Sequence, residues 1–407
     1  MNILHISESD AAGGAGRAAY KLHSGLNGLG HSSRMLVGRK VTADPAVRRL
    51  KRNVAWRTLD RGSGELLDRL GLQYVFYPSS LGVLTDGWFR NADVVQLHNL
   101  HGSYFGFTAL PRLSSRRPVV WQLHDQWGLT GHVAYSLDCE RWRHGCGSCP
   151  YLGEYPRLSR DTTALLWRLK DAVYSRSRLS LVVPSRWMAK LVRESPLLCR
   201  FPTHHIPTGI DTDAFRPGPQ EEARRRFGLP LDRRIVFFAA ADLNERRKGL
   251  HLLIAALRRM NDPPLLVLAG SGVVSGDVEH RALGTLSNED VLADAYRAAD
   301  LFAVPTLADV LTQTAPESIA CSTPCVSFDR GGVTDVVRHL ETGYEARFGD
   351  VDDLARGIAT LLGDPALLER LRRRCREVAE EEFTVTRQVR LYAELYEELV
   401  AGAPAAR

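Results

Sequence analysis

No apolar run in this sequence approaches the ~20 residues that a membrane-spanning helix needs. The N-terminus runs straight into a strand-like pattern, without a basic region, apolar core and cleavage site in series. No secretory signal is expected, and the chain reads as cytoplasmic. Cysteine is scarce, seven residues in 407, and an odd, clustered set is not a disulfide framework. No H-E-x-x-H, G-x-S-x-G or Walker motif occurs, which leaves protease, esterase and P-loop readings without support. A recognition-helix pattern and a basic stripe interleaved with aromatics are also missing, so nucleic acid is not an expected partner. Lysine nearly vanishes from the second half. Lys248 is the only lysine after residue 190, while residues 211–407 hold 24 arginines. A lysine kept against that bias suggests a site that needs a compact cation.

What is present is ordinary globular composition, 44% hydrophobic and 25% charged, in a chain long enough for two or three domains at about 150 residues each. Strand-like runs alternate with helical patterns throughout, which predicts a parallel α/β architecture. The expected strands are Asn2–Ile6, Ser33–Val37, Val94–Leu97, Val119–Leu123 and Ser180–Val183 in the first half. In the second half they are Ile235–Ala240, Leu265–Ala269, Leu301–Val304 and Pro324–Phe328. The stretch IPTGIDTDAFRPGP, rich in proline and glycine, marks the boundary. It divides the chain into a first domain over 1–205, a second over 206–385 and an amphipathic helix with tail over 386–407. Charge follows a similar division. Residues 1–210 hold 28 Lys and Arg against 15 Asp and Glu, a net +13, whereas 211–407 hold 25 against 32, a net −7. That split is either compositional drift or the mark of a first half that meets something anionic, such as a membrane face or a phosphate-bearing acceptor.

The richest stretch is PTLADVLTQTAPESIACSTPCVSFDRGG, residues 305–332. Pro305 ends a strand, because proline cannot donate to a central ladder. Thr314 is the expected N-cap of the next helix and Pro316 suits its first turn. Asp309 then lies on a strand-to-helix loop and Glu317 in the first helical turn. Both belong to the carboxyl ends of the strands, where open α/β sheets bind ligands. The glycines of Gly13-Gly14-Ala15-Gly16 follow the first strand and open a helix. They suit close approach to a phosphate, or simply a tight turn. Arg247 and Lys248 precede Gly249 at another helix start, where a cation beside free N–H groups suits a diphosphate. His124 ends the strand VVWQL beside Asp125, which is expected to orient its ring. His98 and His101 are expected as pocket walls or acceptor contacts. Cys139, Cys146 and Cys149, near His132 and His144, are spaced for a Cys3His metal site, a reduced cluster or a local disulfide, and the metal stays unknown.

Several of these segments fall in the order found in retaining glycosyltransferases of family 4. They are MNILHIS with AAGGAG, LHD at 123–125, IPTGIDTDAFRP from 206, RKG at 247–249, the Asp309–Glu317 pair and the glycines at 331–332. The chain resembles that family over most of its length. The resemblance implies the GT-B fold: two doubly wound parallel-sheet domains facing across a cleft, 1–205 on the acceptor side and 206–385 binding the donor, with a C-terminal helix crossing back to the first. It implies a nucleoside-diphosphate sugar as donor, transferred with retention, and no cofactor required for catalysis. Glu317 would hold the ribose. Asp309 and the N–H groups of Val310, Leu311, Thr312 and Gln313 would hold sugar hydroxyls. Arg247 and Lys248, with Gly13, Gly14 and Gly16, would hold the diphosphate, and His124 would lie near the anomeric carbon. The acceptor is left open among polysaccharide, lipid-linked precursor and small-molecule glycoconjugate, with an anionic membrane surface as a further candidate partner. The chain departs from the family pattern in Asp309, where Glu is commoner, in Val310-Leu311-Thr312, where a triplet carries glycine, and in Ser322, where glycine is usual. A non-catalytic nucleotide-sugar binder, a sugar-nucleotide epimerase and a phosphorylase are the alternative readings.

Overall fold

The computed structural model describes residues 1–50, 54–274 and 278–402. Internal contacts divide the chain into two units, Met1–Pro207 with Thr386–Arg407, and Thr208–Val385.

The first unit is built on seven strands: β1 Asn2–Ser9, β2 Ser32–Arg39, β3 Val47–Arg49, β4 Val94–Leu97, β5 Val119–Gln122, β6 Ser180–Val183 and β7 Thr203–His205. All neighbours are parallel, in the order β3-β2-β1-β4-β5-β6-β7. The central strands β4, β5 and β6 are buried at every residue. They are covered on both faces, which is why they read as continuous apolar runs rather than alternating ones. The second unit repeats the plan with β8 Ile235–Asp242, β9 Leu265–Ser271, β10 His280–Ala282, β11 Leu301–Val304, β12 Cys325–Phe328 and β13 Gly343–Ala346. Its order is β10-β9-β8-β11-β12-β13, again all parallel. The doubly wound class expected from the alternation is therefore present twice. In each sheet the strand order reverses once, between β1 and β4 and between β8 and β11. The loops leaving those strands diverge there and open a crevice.

Four strands were not expected from the sequence: β3, β7, β10 and β13. They read VRR, THH, HRA and GYEA, and each contains partly exposed residues. Edge strands this short carry no apolar run, so only their neighbours' backbones reveal them. The basic run at 48–52 places Arg48 and Arg49 on β3, while Lys51 and Arg52 lie outside the described residues. The helix Val385–Ala401 returns to the first unit. There the Tyr396 hydroxyl donates to Gln96 Oε1 on β4 at 2.8 Å. Val389 closes over Gly25, where a Cβ would sit only 2.4 Å from its Cγ2.

Candidate active site

In the second unit the loops leaving β8 and β11 are tied together by charge. Leaving β8, the turn Arg246–Lys248 passes into Gly249 at φ +80°, a left-handed conformation that admits glycine readily. Glycine is required there twice over, since an added Cβ would lie 1.9 Å from the Pro305 carbonyl oxygen. The Arg247 carbonyl accepts from Leu307 N–H at 2.8 Å, so the two loops also share backbone bonds. Asp309 stands at the centre. Its Oδ1 accepts from Arg247 at 2.6 Å, and its Oδ2 from Lys248 Nζ at 2.7 Å and Thr306 Oγ1 at 3.1 Å. Only 7% of the Asp309 side chain is exposed. Burial opposes ionisation of this carboxyl, but Lys248 and Arg247 outweigh it and hold its pKa below the ordinary carboxylate range. Arg247 also pairs with Glu245 and donates to the Ala308 carbonyl at 2.9 Å. The structure thus brings Arg247, Lys248 and Asp309 into one ion cluster, with Asp309 as the anchor of both cations.

Past Asp309 the chain is held from below, where Gly332 N–H donates to the Asp309 carbonyl at 2.9 Å. Val310, Leu311 and Thr312 are buried. Among the described residues, the backbone N–H groups of Leu311, Thr312 and Gln313 meet no acceptor. Backbone amides left without an acceptor can donate to a ligand. The following helix runs Thr314–Ala320. Thr314 is its first residue rather than its N-cap. Gln313 occupies the cap position without a side-chain bond, and the Thr314 hydroxyl meets Thr312 Oγ1 at 2.9 Å. Pro316 and Glu317 lie in the first turn as expected, and Glu317 Oε2 accepts from the Tyr296 hydroxyl at 3.0 Å. Ser322, just past the helix, has φ +60°. This is the left-handed conformation that explains the glycine usual at that position.

In the first unit, Gly13 and Gly14 open the helix Gly13–Gly28, whose N-terminus has no side-chain cap. A Cβ on either glycine would meet nothing within 4 Å, whereas one on Gly16 would press on the Ser9 carbonyl at 3.3 Å. Ser9 Oγ shapes the loop by accepting from Ala11 and Ala12 N–H at 3.3 and 3.0 Å. His124 is half-buried past β5, and burial lowers its pKa to about 4. The structure corrects the expected partners of this histidine. Asp125 does not bond the His124 ring; its Oδ2 pairs with His101 Nε2 at 2.6 Å and its Oδ1 takes Trp127 N–H at 2.9 Å. The partner of His124 is His98, Nδ1 to Nε2 at 3.0 Å, and His98 is bonded in turn to His5 at 3.1 Å. His98 and His101 are therefore buried, bonded groups. His5 escaped notice in the sequence because it sits mid-strand in an apolar run, and only the pairing of β1 with β4 brings it to His98.

Cys139, Cys146 and Cys149 are free thiols, so no local disulfide forms. Cys149 Sγ lies 3.4 Å from His132 Nε2, and burial pushes the Cys146 thiol up to about 11. Among the described residues no group of three or more His, Cys, Asp or Glu is arranged to hold a metal ion.

Two family profiles fit this geometry. "Glycosyltransferase Family 4" matches residues 12–214, and "Glycosyl transferases group 1" matches residues 219–381. The chain belongs to the family 4-type glycosyltransferases. Among relatives of this family 4-type chain, D-inositol 3-phosphate glycosyltransferase 1 from Catenulispora acidiphila is 34% identical over 191 residues, 42% of this chain and 45% of the relative. The matched segment thus spans less than half of that relative's length. Among solved structures, sucrose-phosphate synthase from Thermosynechococcus elongatus superposes with a TM-score of 0.74 at 20% identity, covering 99% of this chain and 100% of its own. HepE from Anabaena, solved with UDP-glucose, superposes with a TM-score of 0.66 at 16% identity, covering 98% of this chain and 99% of its own. Identities this low establish the shared GT-B architecture alone.

Proposed function

We propose that this chain transfers a sugar from a nucleoside-diphosphate sugar to a hydroxyl acceptor, with retention at the anomeric carbon. The observation that carries the reading is the Arg247–Asp309–Lys248 cluster at the strand-order reversal of the second sheet, beside the unmatched amides of Leu311–Gln313. Two cations fixed by one buried carboxylate form a rigid receptor for a diphosphate. They need little reorganisation as charge grows on the leaving group. Glu317, steadied by Tyr296, is assigned to the ribose hydroxyls, and the free amides to the sugar. Asp309 already serves both cations, so any contact it makes with the sugar uses its remaining lone pairs. In the reaction the bond from the anomeric carbon to the β-phosphate oxygen breaks and its electrons stay with the diphosphate. The acceptor oxygen bonds the same face, and its proton passes to the departing phosphate oxygen. The cations and amides supply the stabilising charge, so this reading calls for no catalytic metal.

The bound UDP-glucose of the HepE structure supports a nucleotide-sugar donor here. The test is proton NMR of the product formed from an α-linked donor and a panel of acceptors. An axial anomeric linkage supports retention, and an equatorial one overturns it. Free sugar released without acceptor would favour an epimerase or hydrolytic reading. Turnover dependent on inorganic phosphate would favour a phosphorylase, and binding without turnover a non-catalytic binder.

The acceptor is assigned to a lipid-linked precursor at an anionic membrane face. Trp56, Leu59, Leu66 and Leu70 on or just past the helix Val54–Arg69 are exposed, with Arg57, Arg61 and Arg69 among them, while Leu67 and Leu72 are half-buried. No described helix is long and apolar enough to cross a membrane. Each basic residue at such a surface contributes about 1 kcal/mol, screened over roughly 10 Å. Sedimentation with phosphatidylserine vesicles should carry the protein down at low salt and release it at high salt. A chain that ignores those vesicles has a soluble acceptor.

A further inference from the structure

β1, β4 and β5 are adjacent parallel strands, and one histidine from each or from its exit stands in a row: His5, His98 and His124. Neighbouring rings lie 5.4 and 5.3 Å apart. The row is bonded end to end, with His5 Nδ1 to His98 Nε2 at 3.1 Å and His98 Nδ1 to His124 Nε2 at 3.0 Å. His5 and His98 are wholly buried. The Trp121 indole N–H fixes the His98 backbone by donating to its carbonyl at 3.1 Å. At the inner end the His23 ring stands edge-on to His5, itself held by Ser33 Oγ at 2.8 Å and facing Asp44 at 3.4 Å. At the outer end His124 has Asp125 and His101 nearby, the two bonded to each other.

Such a row admits only two arrangements in which each neutral ring carries one proton and both bonds form. In the first, every proton is on Nδ1: His5 donates to His98, His98 donates to His124, and His124 keeps an N–H at Nδ1. In the second, every proton is on Nε2 and donation runs inward, leaving a proton on His5 Nε2. That atom is buried and, among the described residues, has no partner. A buried N–H without an acceptor is costlier and rarer than a buried lone pair. The first arrangement is therefore favoured. Burial keeps all three rings neutral, since it lowers the pKa of each.

We propose that His5 and His98 are positioning residues that fix His124 as its Nδ1–H tautomer, leaving that N–H as the hydrogen-bond donor offered to the substrate. Among the described residues, Nδ1 of His124 has no protein partner. Free imidazole prefers the opposite tautomer, so an isolated histidine would present a lone pair there and repel an oxygen lone pair of the sugar. The catalytic consequence rests on the place near the anomeric carbon that the family resemblance implies for His124, whereas the tautomer itself does not.

Long-range 1H–15N spectra of protein labelled at histidine read the tautomer directly. The parent should show His124 as Nδ1–H. His98→Leu should shift it toward Nε2–H and lower kcat about tenfold or more, as expected for one lost buried hydrogen bond. His98→Asn carries an amide near the place of Nδ1 and should restore both the Nδ1–H signature and most of kcat. A parent His124 found as Nε2–H overturns the proposal. So does a folded His98→Leu with unchanged tautomer and kcat, or activity that merely follows melting temperature in both variants. If the tautomers behave as stated but His124→Ala retains parent kcat, the positioning row stands and the donor-site reading of His124 fails.

Discussion

Replacing Lys248 with alanine separates two roles that the ion cluster allows. Its Nζ lies 2.7 Å from Asp309 Oδ2, with 22% of the lysine side chain exposed. A hydrogen bond to a charged group contributes about 1.5–3 kcal/mol. Asp309 keeps Arg247 and Thr306, so the buried carboxylate is not left bare. The stability loss should therefore fall at the lower end, about 1.5 kcal/mol, or roughly 3–6 °C in Tm for a unit of this size. The effect on the reaction should be larger. A preorganised donor aimed at charge that develops in the transition state is worth about 10²–10³ in kcat. Steady-state assays of diphosphate release should thus show a fall in kcat with a smaller change in donor KM. A raised KM with unchanged kcat would mark Lys248 as a ground-state contact and refute the reasoning. The double variant Lys248→Ala/Asp309→Asn guards against a second explanation. If Lys248 acted only by neutralising Asp309, the double variant would match Asp309→Asn alone. If it acts on the diphosphate, the double variant falls well below Asp309→Asn.

Glu317→Gln keeps the shape of the side chain and its neighbour Tyr296 but loses charged acceptance. Donor affinity by calorimetry should fall at least about tenfold, and parent-like affinity would remove Glu317 from the ribose. The buried histidine row sets a pH window. His5, His98 and His124 have native pKa values below 6.5, so the unfolded chain takes up protons that the native one refuses as pH falls below 6.5. Stability should decline from about pH 6.5 toward 4, by up to about 1.4 kcal/mol per pH unit for each histidine, and equal urea midpoints at pH 7.5 and 5.5 would contradict this. The depressed carboxyls of Asp125 and Asp309 add their loss only lower, as pH falls past the ordinary carboxylate range. Ser322→Gly relieves a side chain held at φ +60° and should raise the urea midpoint by the equivalent of about 0.5–1 kcal/mol; an unchanged or lowered midpoint would show that the serine bears no strain.

Much of this fold is legible because buried parallel strands are written as apolar runs. The apolar runs mark β4, β6 and β11 to the residue, along with the strands flanking both order reversals. The edge strands β3, β7, β10 and β13 were missed because VRR, THH, HRA and GYEA look like loops when one face is open. The ion cluster was half legible. Asp309, Arg247 and Lys248 were each singled out, but their mutual pairing depends on β8 lying beside β11, which lies in the topology and not in local spacing. The same limit misdirected the reading of Asp125. Adjacent in sequence to His124, it turns instead to His101, while His124 bonds a residue 26 positions away.

The central claim is that the second unit receives a nucleoside-diphosphate sugar on the Arg247–Asp309–Lys248 cluster and Glu317. The most direct measurement is thermal unfolding of the full chain against UDP-, GDP-, dTDP- and ADP-sugars, with the Glu317→Gln and Lys248→Ala proteins alongside. At a hundred times its dissociation constant, the right donor should stabilise the protein by about 2.7 kcal/mol, and the gain should shrink in Glu317→Gln. No stabilisation by any of the four at millimolar concentration, or an equal gain in the parent and Glu317→Gln, would contradict it.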